Sequence, residues 1–169
     1  NVVMDLMVHD VDIICSVIED KIQVEHVSGI TPAAHEQNDH VSAFLRSDSG
    51  IPILLTVSRI TANKIRKLEI ICENALLTVD YMQQELKIFR SNYNGDNNQR
   101  KFGQETIKLD VRIEKVLVRN QEPLMGELNN FISSVTNGEA VVIDGKASLR
   151  VMKLIFNIQE RLVGDVRHS

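Results

Sequence analysis

The sequence predicts an α+β fold in which a predominantly antiparallel open sheet carries helices on one face. An apolar helical run opens the chain, short alternating segments with brief polar spacers fill its middle, and two amphipathic helical patterns close it. The spacers are too short for the crossover helices that parallel strands need, so neighbouring strands are expected to pair antiparallel.

Length and charge limit the class of protein. The 169 residues, 43% of them hydrophobic, are enough for one core and too few for two sizeable domains, so residues 1–169 are expected to form a single domain. The net charge of −4 with scattered Lys and Arg gives no basic face for nucleic acid. Without an apolar stretch of roughly 18 residues or the basic flank of a signal peptide, we expect no membrane partner and a cytoplasmic protein.

The opening helix carries one narrow polar stripe. Its members recur every three or four residues: Asp5, His9, Asp12 and Ser16. At about 100° per residue these four side chains fall within roughly 60° of one another, and apolar residues fill most of the remaining circumference. Burying a carboxylate or an imidazole costs free energy unless the group is paired or faces a wet cleft. The stripe therefore indicates a functional cleft or an internally paired network.

The middle of the chain is predicted to be a meander of strands. They cover residues 21–30, 41–46, 51–60, 67–72, 75–81 and 85–90. A polar surface loop is expected over 91–103. A further strand over 106–119 shifts its alternation after Ile113, which predicts a bulge or a bend.

Two helices are predicted to follow. The first starts at Glu122-Pro123, since proline is favoured in a first turn, and ends at Asn137-Gly138. Its apolar face comprises Leu124, Leu128, Phe131, Ile132 and Val135. Asp144 is expected to cap the second helix, whose apolar residues are Leu149, Met152, Ile155, Phe156, Ile158 and Leu162.

The two cysteines, Cys15 and Cys72, lie in apolar runs. This position favours two reduced core thiols over a disulfide or a metal site. The stripe on the first helix could suit a divalent ion, but the other histidines have no ligand spacing relative to His9. No metal site is expected.

The order Asp-x-x-x-His-x-x-Asp at Asp5, His9 and Asp12 resembles the start of the second domain of the Gfo/Idh/MocA oxidoreductases. The similarity is closest to the branch of the UDP-N-acetylglucosamine 3-dehydrogenase type, which acts on nucleotide-linked sugars. It continues, in the family's order, through Asp39-His40-Val41-Ser42-Ala43, Ser58-Arg59-Ile60-Thr61, Lys64-Ile65-Arg66-Lys67-Leu68-Glu69-Ile70, Leu77-Thr78-Val79-Asp80-Tyr81, Glu122-Pro123-Leu124 and Asn137-Gly138.

The resemblance implies roles for the stripe. A histidine with a carboxylate four residues earlier can act as a general base, because the two meet on one helix face. In the family, the matching histidine takes the proton from a sugar hydroxyl as hydride leaves the same carbon for the nicotinamide. His9 and Asp5 are therefore expected to be catalytic, and Asp12 to be a structural support.

A basic cluster has two interpretations. Its members are Arg59, Lys64, Arg66 and Lys67. Taken alone, the cluster is typical of a solvated strand end that discourages aggregation. Beside the resemblance, Arg59 and Lys64 are candidates for binding the anionic part of a nucleotide-sugar.

No dinucleotide site is encoded in this chain. Its eight glycines never take the Gly-x-Gly-x-x-Gly spacing that brings a backbone close to a pyrophosphate. None of Pro32, Pro52 and Pro123 follows a lysine, so the family's Glu-Lys-Pro motif is also missing. The chain resembles the second domain alone. We expect an inactive fragment whose NAD or NADP, and whose catalytic lysine, come from an absent N-terminal Rossmann domain.

Three functions stay open at this point. The first is the substrate-binding domain of an NAD(P)-dependent dehydrogenase acting on a sugar or nucleotide-sugar. The second is a non-catalytic scaffold that forms a homo-oligomer through the open sheet face. The third is a family member that uses Asp5 and His9 to hydrolyse glycosides. A continuous apolar surface on the uncovered face of the sheet would indicate an obligate interface.

Overall fold

A computed structural model describes residues 1–32, 38–91, 111–117 and 122–165. A π-helical turn, Val3–Met7, leads into α1 (Val8–Val17). The strands are β1 (Ile22–Ile30), β2 (His40–Ser47), β3 (Pro52–Ser58), β4 (Lys67–Ile71), β5 (Ala75–Asp80), β6 (Glu85–Ser91) and β7 (Val111–Val116). The later helices are α2 (Pro123–Asn137) and α3 (Gly145–Asp165).

The predicted α+β class with antiparallel strands is confirmed. Every strand pairing in the described residues is antiparallel. The strands are divided between a three-stranded sheet, in the order β1-β2-β3, and a four-stranded sheet, in the order β4-β5-β6-β7. The chain forms two compact units, which we call the first unit (Asn1–Ala62 with Asn130–Ser169) and the second unit (Asn63–Asn129).

The core of the first unit lies on one face of the three-stranded sheet. Alternate strand residues point into it: Ile22, Val24, Val27, Val41, Ala43, Leu45, Ile53, Leu55 and Val57. The helical residues that meet them are Val3, Met7, Val11, Ile14, Val151, Leu154, Ile155, Ile158 and Leu162. Because α1 and α3 contact each other and α3 contacts β1, the helices cover this face of the sheet.

The opposite face of the three-stranded sheet mixes polar and apolar side chains. Arg46 pairs with Glu25 at 2.5 Å and lies 5.6 Å from the centre of the Phe44 ring. The hydroxyls of Ser42 and Thr56 lie 3.0 Å apart. This face is therefore not the continuous apolar surface that an obligate interface would show.

Arg150 of α3 forms hydrogen bonds to the end of α1. Its guanidinium donates to the carbonyl oxygens of Cys15, at 2.9 Å, and Ile18, at 2.7 Å, and also to that of Asp20. The last carbonyls of a helix have no partner within the helix. The guanidinium of Arg150 therefore provides hydrogen bonds to carbonyl groups at the end of α1 and links this helix to α3.

One face of the four-stranded sheet carries two mostly apolar rows. In the first row, Leu68, Val79, Leu86 and Val116 stand in register across the strands. In the second, Ile70, Leu77 and Ile88 lie on the same side, and the row ends at Glu114 of β7. No described residue of the second unit is fully buried. These two rows, which we call the second-unit apolar face, thus remain partly open to solvent.

The other side of that sheet carries a charged cluster beside a row of Ile71, Leu76, Phe89 and Ile113. Lys87 stands directly opposite Lys115, and such like-charge pairs across strands are unfavourable. Glu85 contacts Lys87 at 2.6 Å and Lys115 at 2.5 Å. Hydrogen bonds from Lys115 and then Lys87 lower the pKa of Glu85 to about 2.

We predict a pH response at this cluster. The pKa of Glu85 falls from 4.5 in the unfolded chain to about 2, so its contribution to stability is complete above pH 4.5 and is lost as the pH falls through 2. An NMR titration of the Glu85 carboxyl carbon should therefore have its midpoint near 2. In Lys115→Met the midpoint should rise; an unchanged midpoint would contradict the assigned cause.

Several predicted elements are confirmed. Gly138, with φ of 69°, follows the end of α2, where a left-handed residue is typical. The carboxylate of Asp144 accepts a hydrogen bond of 2.8 Å from the Ala147 N–H and so caps α3 as expected. Nearly all of the predicted loop over 91–103, and the ends of the strand predicted over 106–119, lie outside the described residues.

Other predictions are wrong. Cys72 is exposed and is not a core thiol, whereas Cys15 is half-buried. Leu149 and Phe156 of α3 are about half exposed, because a helix packed on one sheet buries a narrower arc than its apolar spacing covers.

The register between β6 and β7 runs without a shift, so the described strand has no bulge. The irregularity lies instead in β1, between Val24 and His26. The apolar face predicted for α2 is exposed, including Phe131 and Val135.

Candidate functional site

Asp5 and His9 lie on the solvent side of the first helical segment. Val3, Met7 and Val11 on its other side are fully buried. Both polar side chains are exposed. The core therefore fixes the helix while its carboxylate and imidazole stay accessible.

The backbone under Asp5 is not a regular α-helix. Residues 3–7 form a π-helical turn, in which the Val8 N–H donates to the Val3 carbonyl. Such single turns recur at functional sites. The periodicity of the sequence indicated a uniform helix, because one wider turn changes the angular position of each residue too little to disturb the polar stripe.

Arg59 is bonded to Asp5. Its guanidinium Nη2 donates to the Asp5 Oδ2, across 54 positions of the chain. Arg59 directly follows β3, and its backbone N–H donates to the Asp39 carbonyl at 2.8 Å. The Arg59 and Asp5 side chains are 43% and 52% exposed, so solvent reaches this pair.

The members of the predicted basic cluster have different surroundings. Arg59 contacts Asp5, whereas Lys64 is an exposed residue of the second unit. Lys67 lies 3.7 Å from Asp80. Arg59 thus combines with the stripe of the first helix, a contact for which the sequence offered no local signal.

Asp12 lies half-buried on α1, one turn after His9. Its charge acts on Cys15. Burial raises the pKa of the Cys15 thiol, Arg150 lowers it, and Asp12 raises it further. The thiol is thereby kept protonated and is a poor nucleophile.

The described residues set limits on metal and membrane binding. Within them, no group of three or more His, Cys, Asp or Glu side chains is placed to hold a metal ion. Across the same ranges, no helix has the length and hydropathy needed to span a bilayer.

The residue types at this site are those used for proton transfer in enzymes. An imidazole can act as a general base, and a carboxylate can orient it where the two side chains meet. The guanidinium of Arg59 places a positive charge beside the Asp5 carboxylate. We call Asp5, His9 and Arg59 the first-helix site.

Comparison with known proteins identifies domains to which this chain is similar. A family model described as the GFO/IDH/MocA C-terminal domain matches residues 1–78, which include the whole first-helix site. UDP-N-acetylglucosamine 3-dehydrogenase from Acidithiobacillus ferrooxidans is 24% identical over 160 residues. The match covers 94% of this chain and 48% of that enzyme, so the chain spans about half the length of this curated relative.

Solved structures share the fold. UDP-N-acetylglucosamine 3-dehydrogenase GnnA from A. ferrooxidans superposes with a TM-score of 0.79 at 22% identity, covering 95% of this chain and 47% of that one. An NAD-binding protein from Listeria innocua gives 0.73 at 13% identity, with 98% and 50% covered. The 3-ketoreductase KijD10 from Actinomadura kijaniata, in complex with TDP-benzene and NADP, gives 0.74 at 12%, with 96% and 47% covered.

These matches agree with the motif order in the sequence. The family model covers the first-helix site and the three strands of the first unit, and the structural matches extend over nearly the whole chain. The resemblance of this chain to the C-terminal domain of the GFO/IDH/MocA oxidoreductases is therefore confirmed.

Proposed function

We propose that residues 1–169 are the C-terminal, substrate-binding domain of an NAD(P)-dependent oxidoreductase that oxidises a hydroxyl of a sugar or nucleotide-sugar. The observation that carries the proposal is the first-helix site, where Asp5 and His9 stand exposed on a helix anchored in the core. The similarity to an enzyme named for a UDP-sugar substrate supports the substrate class.

In this proposal His9 takes the proton of the sugar hydroxyl. Asp5 orients the imidazole and stabilises its positive charge after the transfer. Asp12 supports the helix at the next turn. Lys64, exposed on the second unit, is proposed to contact the anionic part of the substrate.

The described residues do not fit a dinucleotide site. Their sheets are antiparallel throughout, and they contain no glycine-rich turn between a strand and a helix N-terminus, the usual cradle for a pyrophosphate. NAD or NADP, which takes up the hydride when bound, is accordingly proposed to be held by protein outside this chain. We also propose that the isolated chain is inactive and that the enzyme is cytoplasmic.

The test uses the full-length enzyme with UDP-N-acetylglucosamine and either NAD or NADP. Formation of the reduced nicotinamide, followed by its absorbance, together with a keto-sugar product supports the proposal. Failure to reduce either cofactor with a panel of nucleotide-sugars would contradict it. Release of the sugar from the nucleotide without net reduction would indicate glycoside hydrolysis instead.

We further propose that the enzyme is a homo-oligomer. The second-unit apolar face, with two rows of Leu, Ile and Val partly open to solvent, favours burial against a second copy. Sedimentation of the full-length protein should therefore show a dimer or a larger assembly. A monomer at high micromolar concentration would contradict this prediction.

A further inference from the structure

Arg59 and Asp5, which form an ion pair, lie on two segments that are each anchored in the first unit. On the Arg59 side, the Asp39 N–H donates to the Ile30 carbonyl at 3.1 Å, and the Arg59 N–H donates to the Asp39 carbonyl at 2.8 Å. On the Asp5 side, the π-helical turn is anchored by the buried Val3 and Met7. The two charged groups are thus brought together by the sheet and the helix.

The ion pair between Arg59 and Asp5 contributes little to the stability of the fold. Both side chains are about half exposed, and exposed ion pairs contribute only about 0–1 kcal/mol. A stronger reason for the contact is geometric, because the guanidinium donates from a rigid plane and its bond from Nη2 to Oδ2 restrains the Asp5 carboxylate. An unpaired Asp5 on an exposed turn would be free to rotate among several side-chain conformations.

We propose that Arg59 is a positioning residue, which holds the carboxylate of Asp5 in one orientation beside His9 and balances its negative charge. This inference rests on the proposed function. It assigns Arg59 to the machinery of proton transfer rather than to the substrate's phosphates. Held in this way, the carboxylate of Asp5 is positioned to orient the imidazole of His9.

The two roles of Arg59 make opposite kinetic predictions. A residue that binds the substrate equally in the ground and transition states changes KM with little effect on kcat. A residue that positions Asp5 changes kcat with little effect on KM. The bond to Asp5 uses one of the five N–H donors of the guanidinium, so the kinetics, rather than the contact itself, distinguish the two roles.

The experiment measures kcat and KM for the full-length enzyme and its Arg59→Met and Arg59→Lys variants, using UDP-N-acetylglucosamine. Arg59→Met should lower kcat about tenfold or more, because small displacements of catalytic groups are costly, and KM should stay within about twofold of the wild type. Arg59→Lys should retain part of kcat, since lysine keeps the positive charge but lacks the planar guanidinium. Arg46→Met is the matched control: Arg46 also pairs with an acidic residue on the surface of the first unit, and kcat should not change.

A double-mutant cycle with Asp5→Asn gives a second readout. If Arg59 acts through Asp5, the double variant should be no slower than the slower single variant. Additive losses, or a raised KM with unchanged kcat, would overturn the inference while leaving the proposed function standing. A wild-type enzyme without dehydrogenase activity would overturn both.

Discussion

Replacing His9 with alanine in the full-length enzyme should lower kcat by a factor on the order of 10² or more, the range expected for loss of a general base. His9 is exposed and its neighbours Met7 and Val11 supply the core contacts of the helix, so the variant should fold normally. Steady-state kinetics would measure the loss, and calorimetry should show that binding of the nucleotide-sugar persists.

The matched control is His26→Ala. His26 is also an exposed histidine of the first unit, but it lies on β1, on the sheet face opposite the helices. Its replacement should leave kcat unchanged. Full activity of His9→Ala, or equal losses in the two variants, would remove His9 from the mechanism and leave the polar stripe with a structural role only.

Replacing Arg150 with methionine should produce a large loss of stability in the first unit. Arg150 donates to three carbonyl oxygens at and beyond the end of α1. Hydrogen bonds from a charged donor contribute about 1.5–3 kcal/mol each when isolated, and contributions from one network are not additive, so we expect a total loss of about 2–4 kcal/mol. Urea unfolding of the wild type and the variant would measure it.

Arg161→Met provides the comparison for this prediction. Arg161 lies on the same helix and donates a single exposed hydrogen bond, to the Glu25 carbonyl at 3.0 Å. Its loss should cost less than about 1 kcal/mol. Equal losses in the two variants would show that the hydrogen bonds of Arg150 at the end of α1 contribute no more to stability than the single bond of Arg161. Since α1 carries His9, a frayed helix end in Arg150→Met should also reduce activity.

The features that the sequence predicted well are those encoded by local periodicity. Alternation placed Val41, Ala43 and Leu45 on the buried face of β2, because residues two apart on a strand share a side. The polar stripe of the first helix followed in the same way from its spacing. The ends of α2 and α3 followed from Gly138 and Asp144, whose conformation and side chain act locally.

The features that the sequence did not predict depend on contacts between distant segments. The bond from Arg59 to Asp5 and the bonds from Arg150 to the end of α1 join residues that are far apart in the chain. No periodicity encodes such pairs, since they depend on how strands and helices pack. For this reason the sequence pattern gave no indication that Arg59 would be bonded to the carboxylate of the first-helix site.

The same limit explains the division of the strands between two sheets. Hairpin spacers predict which neighbours pair along the meander, and each predicted neighbour pair from β4 to β6 is present. The segment between Ser58 and Lys67 has no such signal. Whether β3 and β4 pair is therefore undetermined by the sequence pattern, and in the described residues they belong to separate sheets.

The central claim, that His9 accepts the hydroxyl proton of a sugar, is tested most directly by a crystal structure of the full-length enzyme with its nucleotide-sugar and nicotinamide cofactor. We predict a distance of about 2.6–3.2 Å between a ring nitrogen of His9 and the oxygen of the hydroxyl being oxidised, the range required of a general base, with Asp5 still bonded to Arg59. A sugar bound with a different side chain against that hydroxyl, and with His9 beyond the reach of a bridging water, would contradict the account.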